Sequence, residues 1–324
     1  MSKCEDLHVI ILASGEDHSI KSLVEALGGV DTPKQFASIA GGGTLLRQTV
    51  ARYANLVPAE RMIAVVTAEH EGLARTQLRD WPGIEIIARP VQCGAGFDML
   101  LALGEVFGRA PTARVLVTPA EHYVPYPEGL VGSVVAANRA LDEVAAILFG
   151  VAVDRGRGRK AWIVPGRPLS GQILSVAGLV DDASPLQAAE LAAAGALWNT
   201  STIMARIEHL WYLAARQFPM QAEAVARFWA EKGSVTKTVE QTCLDIPAID
   251  LNRGLLAGTK NVATIAVHGS GWTDWTSPER VLDSILDARE LENLLSRILR
   301  RQRASGRTQL RKGLGPTARH ANAA

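Results

Sequence analysis

Cysteine is scarce in this chain: Cys4, Cys93 and Cys243 are an odd number at wide spacing. They support neither a disulfide framework nor a zinc cluster, and they fit a reducing compartment. No window reaches the ~18 apolar residues that a membrane span requires, and Lys3, Glu5 and Asp6 precede an apolar run too short for a signal peptide. A soluble, cytoplasmic protein with no membrane partner is the expectation. The seven histidines show no ligand spacing, and His70 with Glu71 does not make a His-Glu-x-x-His zinc site. Gly41-Gly42-Gly43-Thr44 lacks the lysine that would complete a phosphate-binding P-loop. His268-Gly269-Ser270-Gly271 is not a nucleophile elbow either. Acidic residues are missing altogether after Glu292, where eight of the 34 basic residues lie, leaving 26 basic against 33 acidic in the rest of the chain. The basic end has no interleaved aromatics, so a solvated tail is expected there rather than a nucleic-acid partner.

The 324 residues carry a 48% hydrophobic share, enough to bury one large α/β core or two domains. Short apolar strands are expected at 8–13, 62–67, 84–88, 115–118 and 145–151, alternating with helices near 44–55, 70–79, 95–107 and 128–141. That alternation predicts an α/β fold with a doubly wound, mostly parallel sheet. Further on, strands are expected at 173–179 and 262–267. Helices are expected at 185–194, over 206–230 as one segment, from 247 onward, and from 278 to about 303. The aromatics of 206–230 read as packing residues. Asp154 to Lys160 is a basic, Gly-containing turn, more often a wet surface than a phosphate contact.

The first strand breaks into a polar loop, Ser14-Gly15-Glu16-Asp17-His18-Ser19, which closes on Asp31-Thr32-Pro33-Lys34-Gln35-Phe36. Ligands of open α/β sheets bind beyond the carboxyl ends of the strands, so this loop is the first candidate site. Two acidic residues end strands in the same way: Glu121 in Pro119-Ala120-Glu121-His122, and Asp274 in Gly271-Trp272-Thr273-Asp274. Carboxylates at strand ends can hold Mg²⁺ with few protein ligands, phosphates and water supplying the rest. Each residue is otherwise an ordinary turn residue. Trp198-Asn199-Thr200-Ser201 reads, by itself, as a buried Trp followed by a turn-forming Asn.

Taken in order, the strand and loop, Pro-Lys-Gln-Phe, Pro-Ala-Glu-His, Trp-Asn and Gly-Trp-Thr-Asp-Trp resemble the sugar-1-phosphate nucleotidyltransferases, in particular the mannose-1-phosphate guanylyltransferases. The resemblance covers roughly residues 8–287. It implies a Rossmann-like, GT-A-like nucleotidyltransferase domain over 1–287; apolar spacing and composition add a C-terminal helix at 288–303 and a basic, disordered tail at 304–324. The implied reaction is transfer of a nucleotidyl group from an NTP, GTP by likeness, to a sugar 1-phosphate, mannose 1-phosphate by likeness. The implied site has Lys34 balancing triphosphate charge and Glu121 with Asp274 holding Mg²⁺. The nucleotide would meet Ala13, Ser14, Gly15, Lys34 and Gly94, and the sugar would meet Trp198 and Asn199. The segment Arg89 to Gly96 takes the place of the family's base-contacting stretch.

The chain departs from the family at several points. Ser14 and Asp17 stand where glycines are usual, Ser19 where an arginine is, and Glu121 where the family has aspartate. The family's Glu-Lys-Pro is missing near Val176–Val180. A second class therefore stays open: a catalytically impaired relative that binds nucleotide or sugar and acts in regulation or assembly. The apolar stripe of the last helix needs a partner surface, its own domain or a second copy of the chain.

Overall fold

A computed structural model of the chain describes residues 4–15, 18–27, 32–89, 94–152, 161–230, 256, 259–285, 292–293, 295–300 and 303. The expected helix from 247 and the basic turn at 154–160 lie outside these residues. The chain forms two compact units, one of residues 1–15 with 46–274 and one of residues 16–45 with 275–324.

The first unit is built on a nine-stranded sheet. Its strands are β1 (Leu7–Leu12), β2 (Met62–Thr67), β3 (Glu85–Arg89), β4 (Arg114–Pro119), β5 (Ala146–Val151), β6 (Trp162–Ser170), β7 (Ile173–Val180), β8 (Leu197–Arg206) and β9 (Val262–Val267). They lie in the order β3-β2-β1-β4-β8-β5-β9-β7-β6. β1 pairs in parallel with β2 and β4, β2 with β3, and β5 with β9, as the βαβ alternation requires. Every residue of β1, β2 and β5 is buried, the signature of strands covered on both faces.

The helices of this unit include α2 (Leu45–Tyr53), α3 (Glu71–Gln77), α4 (Gly94–Arg109), α5 (Pro127–Ala140), α6 (Pro185–Ala193), α7 (Ile207–Gln217) and α8 (Pro219–Ala230), numbered after α1 (Lys21–Leu27) of the second unit. α4 carries Phe97, Leu100, Leu101, Leu103 and Val106 into one core with Leu210 of α7 and with Val225 and Phe228 of α8. Trp229 closes that contact by donating Nε1–H to the Leu101 carbonyl at 2.9 Å. α6 begins with a capping box, Ser184 and Gln187 each satisfying the other's backbone N–H.

Two expectations are corrected here, for the segment 206–230 and for the turn at Asn199, and β6 is a strand that the sequence pattern does not predict. The segment 206–230 is two helices, because Pro219 has no N–H to continue the first and Phe218 turns at φ −133°. β6 is a strand without a strand pattern, since its two prolines, glycine and arginine break the apolar alternation; as the last strand in the sheet order it tolerates them. β8 contains the polar Asn-Thr-Ser-Thr run whose local pattern indicates a turn. It runs antiparallel to β4 and β5, with a register shift between Leu148 and Gly150. Thr200 donates to the Phe149 carbonyl at 2.7 Å, and the Thr118 and Thr202 hydroxyls meet at 3.1 Å, so its two threonine hydroxyls are satisfied inside the sheet.

The second unit contains α1, a 3-10 turn at Lys34–Phe36, and α9 (Pro278–Ser284), which Ser277 caps; the helix expected from 278 to about 303 stops there, because Ile285 is extended at ψ 93°. Ile20, Val24, Phe36, Ile39, Trp275 and Val281 are buried. Residues 295–300 are helical, and Arg297 donates to the carbonyls of Ser38 at 2.8 Å and Ile39 at 3.3 Å. Leu295 and Leu299 are about half exposed on the same stretch.

Candidate active site

Register alone gathers the candidate residues along one edge of the sheet. Leu12 pairs with Pro119 at the carboxyl ends of β1 and β4, and Val151 pairs with Val267 at the ends of β5 and β9. Because β8 runs the other way, its beginning lies at the same edge, with Trp198 paired to Val151. Ala13 to Gly15, Ala120 to His122, Trp198 with Asn199, and His268 to Asp274 therefore all lie at the carboxyl edge, where open α/β sheets bind ligands.

Glu121 and Asp274 are 153 positions apart in sequence, and a backbone bridge joins their loops. Tyr123 and Thr273 exchange N–H···O bonds of 2.9 and 3.0 Å in antiparallel register. In that register Asp274 stands opposite His122, one residue from Glu121. The His122 and Trp272 rings meet edge to face at 4.8 Å, which ties the two loops a second time. Asp274 is buried. The Glu121 carboxylate lies against the main chain of Gly15, where any Cβ would run into Oε1. A Cβ there would have to displace that carboxylate.

Beneath the loop lies a charged cluster that sequence reasoning did not single out. Asp98, on the first turns of α4, accepts a hydrogen bond from the Ser14 hydroxyl. Arg89, the last residue of β3, sits with Nε 3.4 Å from Asp98 Oδ1 and donates Nη2–H to the Ser14 carbonyl at 3.2 Å. The signal was present: an acidic residue inside Phe97-Asp98-Met99-Leu100-Leu101, a run otherwise apolar and buried.

On the sugar side of the resemblance, Trp198 lines a cleft of about 470 Å³ with Val151, Val267, His268, Ser270 and Trp272. Asn199 is buried. Its Oδ1 accepts from the Ser201 N–H at 2.9 Å, and its Nδ2 has no hydrogen-bond partner among the described residues. A buried amide N–H left open is a group in want of an acceptor. Gly94 opens the 16-residue α4, whose first N–H groups suit an anion. The region where the family's Glu-Lys-Pro would fall is strand β7, paired to β6 and β9. Lys34 is 3% exposed and lies in the second unit.

Two carboxylates meet the ordinary demand of Mg²⁺, which takes one or two protein carboxylates and completes its shell with phosphates and water. Among the described residues no group of three or more His, Cys, Asp or Glu side chains is placed to hold a metal alone.

The sheet order and the loops at its carboxyl edge define a nucleotidyltransferase-type α/β domain. The comparisons agree with it. A crystal structure described as mannose-1-phosphate geranyltransferase from Thermus thermophilus superposes with a TM-score of 0.74 at 26% identity, over 86% of this chain and 79% of that one. An inositol-1-phosphate CTP transferase from T. maritima (TM-score 0.54, 16% identity, 90% and 95% covered) shares the fold. So does a UDP-glucose pyrophosphorylase complexed with UDP-glucose (TM-score 0.56, 12% identity, 88% and 97% covered). No protein-family model and no curated protein matches the chain. The chain has the fold of the sugar-1-phosphate nucleotidyltransferases that it resembles. Among the described residues, no helix is long and apolar enough to cross a membrane.

Proposed function

We propose that the protein transfers a nucleotidyl group from a nucleoside triphosphate to a sugar 1-phosphate, releasing pyrophosphate, with GTP and mannose 1-phosphate as the expected pair. The carrying observation is the Tyr123–Thr273 bridge, which makes neighbours of two acidic loops far apart in sequence. The likeness to sugar-phosphate nucleotidyltransferases supports the reaction class, and the guanosine and mannose preferences rest on the motif resemblance.

A sugar phosphate oxygen attacks the α-phosphorus in line, the bond to the β-phosphate bridging oxygen breaks, and pyrophosphate leaves. The attacking phosphate, with a second pKa of about 6, is largely dianionic near neutrality and needs no general base. The protein's task is to align two anions and balance their charge. Glu121 and Asp274 would hold Mg²⁺, which when bound neutralises phosphate charge. The loop main chain at Ala13, Ser14 and Gly15, together with the start of α4 at Gly94, would contact the nucleotide. Lys34 is assigned to triphosphate charge on its motif. Asn199 Nδ2 would donate to a sugar hydroxyl, with Trp198 forming the wall of the cleft.

Incubation of the purified protein with Mg²⁺ and a matrix of triphosphates and sugar 1-phosphates, with pyrophosphate release as readout, tests this. Turnover with one preferred pair is expected. A nucleotide-dependent thermal shift without turnover for any pair would replace the proposal with that of a nucleotide-binding relative.

A further inference from the structure

We infer that Arg89 and Asp98 are positioning residues that fix the main chain of the Ser14–Gly15 loop in its nucleotide-binding conformation. The inference rests on the function proposed above and assigns a new role within that site.

Arg89, Asp98 and Ser14 are 4%, 1% and 4% exposed. Placing a carboxylate and a guanidinium there costs desolvation that apolar residues of similar size would avoid, so a buried pair is weak evidence for stability by itself. What the pair does instead is grip one residue from two sides. Asp98 takes the Ser14 hydroxyl, and Arg89 takes the Ser14 carbonyl while facing Asp98. The cluster joins the loop after β1, the end of β3 and the first turns of α4, three elements whose ends lie at the ligand edge.

The consequence follows from peptide geometry. Carbonyl and N–H of a trans peptide point in opposite directions, and no described peptide is cis. Holding the Ser14 carbonyl toward Arg89 therefore turns the Gly15 N–H away from the clamp. Gly15 is also the residue on which the Glu121 carboxylate rests. The clamp thus sets both the orientation of a loop donor and the floor under a proposed metal ligand. Where the family uses flexible glycines, this chain has Ser14, and Asp98 with Arg89 supply the rigidity.

The test compares the wild type with the apolar swap R89M/D98L and with the milder Ser14→Ala. Three quantities are read: midpoint of thermal unfolding, amide hydrogen exchange of the peptide covering residues 12–15, and equilibrium binding of Mg-GTP and of mannose 1-phosphate. The swap is expected to keep the wild-type melting midpoint or exceed it. Exchange should rise at 13–15, GTP binding should weaken by about tenfold or more, and mannose 1-phosphate binding should stay within about twofold. Ser14→Ala should raise exchange at the same amides and weaken GTP by a smaller factor, which keeps the test open if the swap fails to fold. Wild-type exchange and wild-type GTP affinity in the variants would overturn the clamp while leaving the proposed function standing. If the wild type binds no nucleotide, that reading falls, and exchange alone decides the clamp: unchanged exchange overturns it.

Discussion

One methylene separates Glu121 from an aspartate at the same backbone position, and it carries the carboxylate onto the main chain of Gly15. Glu121→Gln and Asp274→Asn should each lower pyrophosphate release on the order of 10²-fold or more while the folded state persists, which steady-state kinetics and a melting curve check together. Gly15→Ala should do comparable damage without touching an acidic group, because its methyl displaces the Glu121 carboxylate. Another residue-scale effect concerns pH. His8, buried in β1, has its pKa lowered, first by burial and then by the charges of Arg109 and Arg61. The unfolded chain takes up that proton more readily than the folded one, so stability falls as pH drops below about 6.5 and levels off beneath the folded pKa. His8→Leu should flatten that part of the pH profile of the melting midpoint.

Among the elements, α4 is closely packed against α8. A Cβ at Gly104 would meet Val225 Cγ1 at 2.6 Å and Trp229 Cδ1 at 3.0 Å, so α8 approaches this helix where glycine removes the obstacle. Gly104→Val should destabilise by about 1–3 kcal/mol through overpacking, measured by denaturant unfolding. Strands β4 and β8 show how a polar contact repairs a pairing conflict. Arg114 and Arg206 are direct cross-strand partners, a like-charge pair, and Asp142 accepts from both. The hydrogen bond from Arg206 is the chief cause holding the Asp142 carboxyl below its ordinary range, with Arg114 adding to it. Its contribution is present above the unfolded carboxyl pKa of about 3.9 and is lost in stronger acid. The site is exposed, so Asp142→Asn should cost no more than about 1 kcal/mol.

At the scale of the molecule, Lys34 belongs to a different compact unit from Glu121 and Asp274. Within that second unit the helical stretch at 295–300 is tied to the segment just after Lys34–Phe36, through Arg297 and the carbonyls of Ser38 and Ile39. Arg297→Ala removes a charged donor from two carbonyls. It should raise hydrogen exchange at 37–40 and leave exchange in the central strands β1 and β4 unchanged.

The sequence by itself determined the buried strands of the sheet, since β1, β2, β5 and β9 are short apolar runs whose composition leaves them no other place. It also determined the order of the Pro-Lys-Gln-Phe, Pro-Ala-Glu-His, Trp-Asn and Gly-Trp-Thr-Asp motifs. Tertiary structure alone decided the rest. β6 and β8 carry prolines, threonines and an asparagine that local pattern assigns to turns, and they become strands because neighbouring strands pair with them. The Tyr123–Thr273 bridge and the Arg89–Asp98–Ser14 cluster join residues with no local relation. Periodicity records which face of an element is buried, and it holds no record of which distant loop that element will meet.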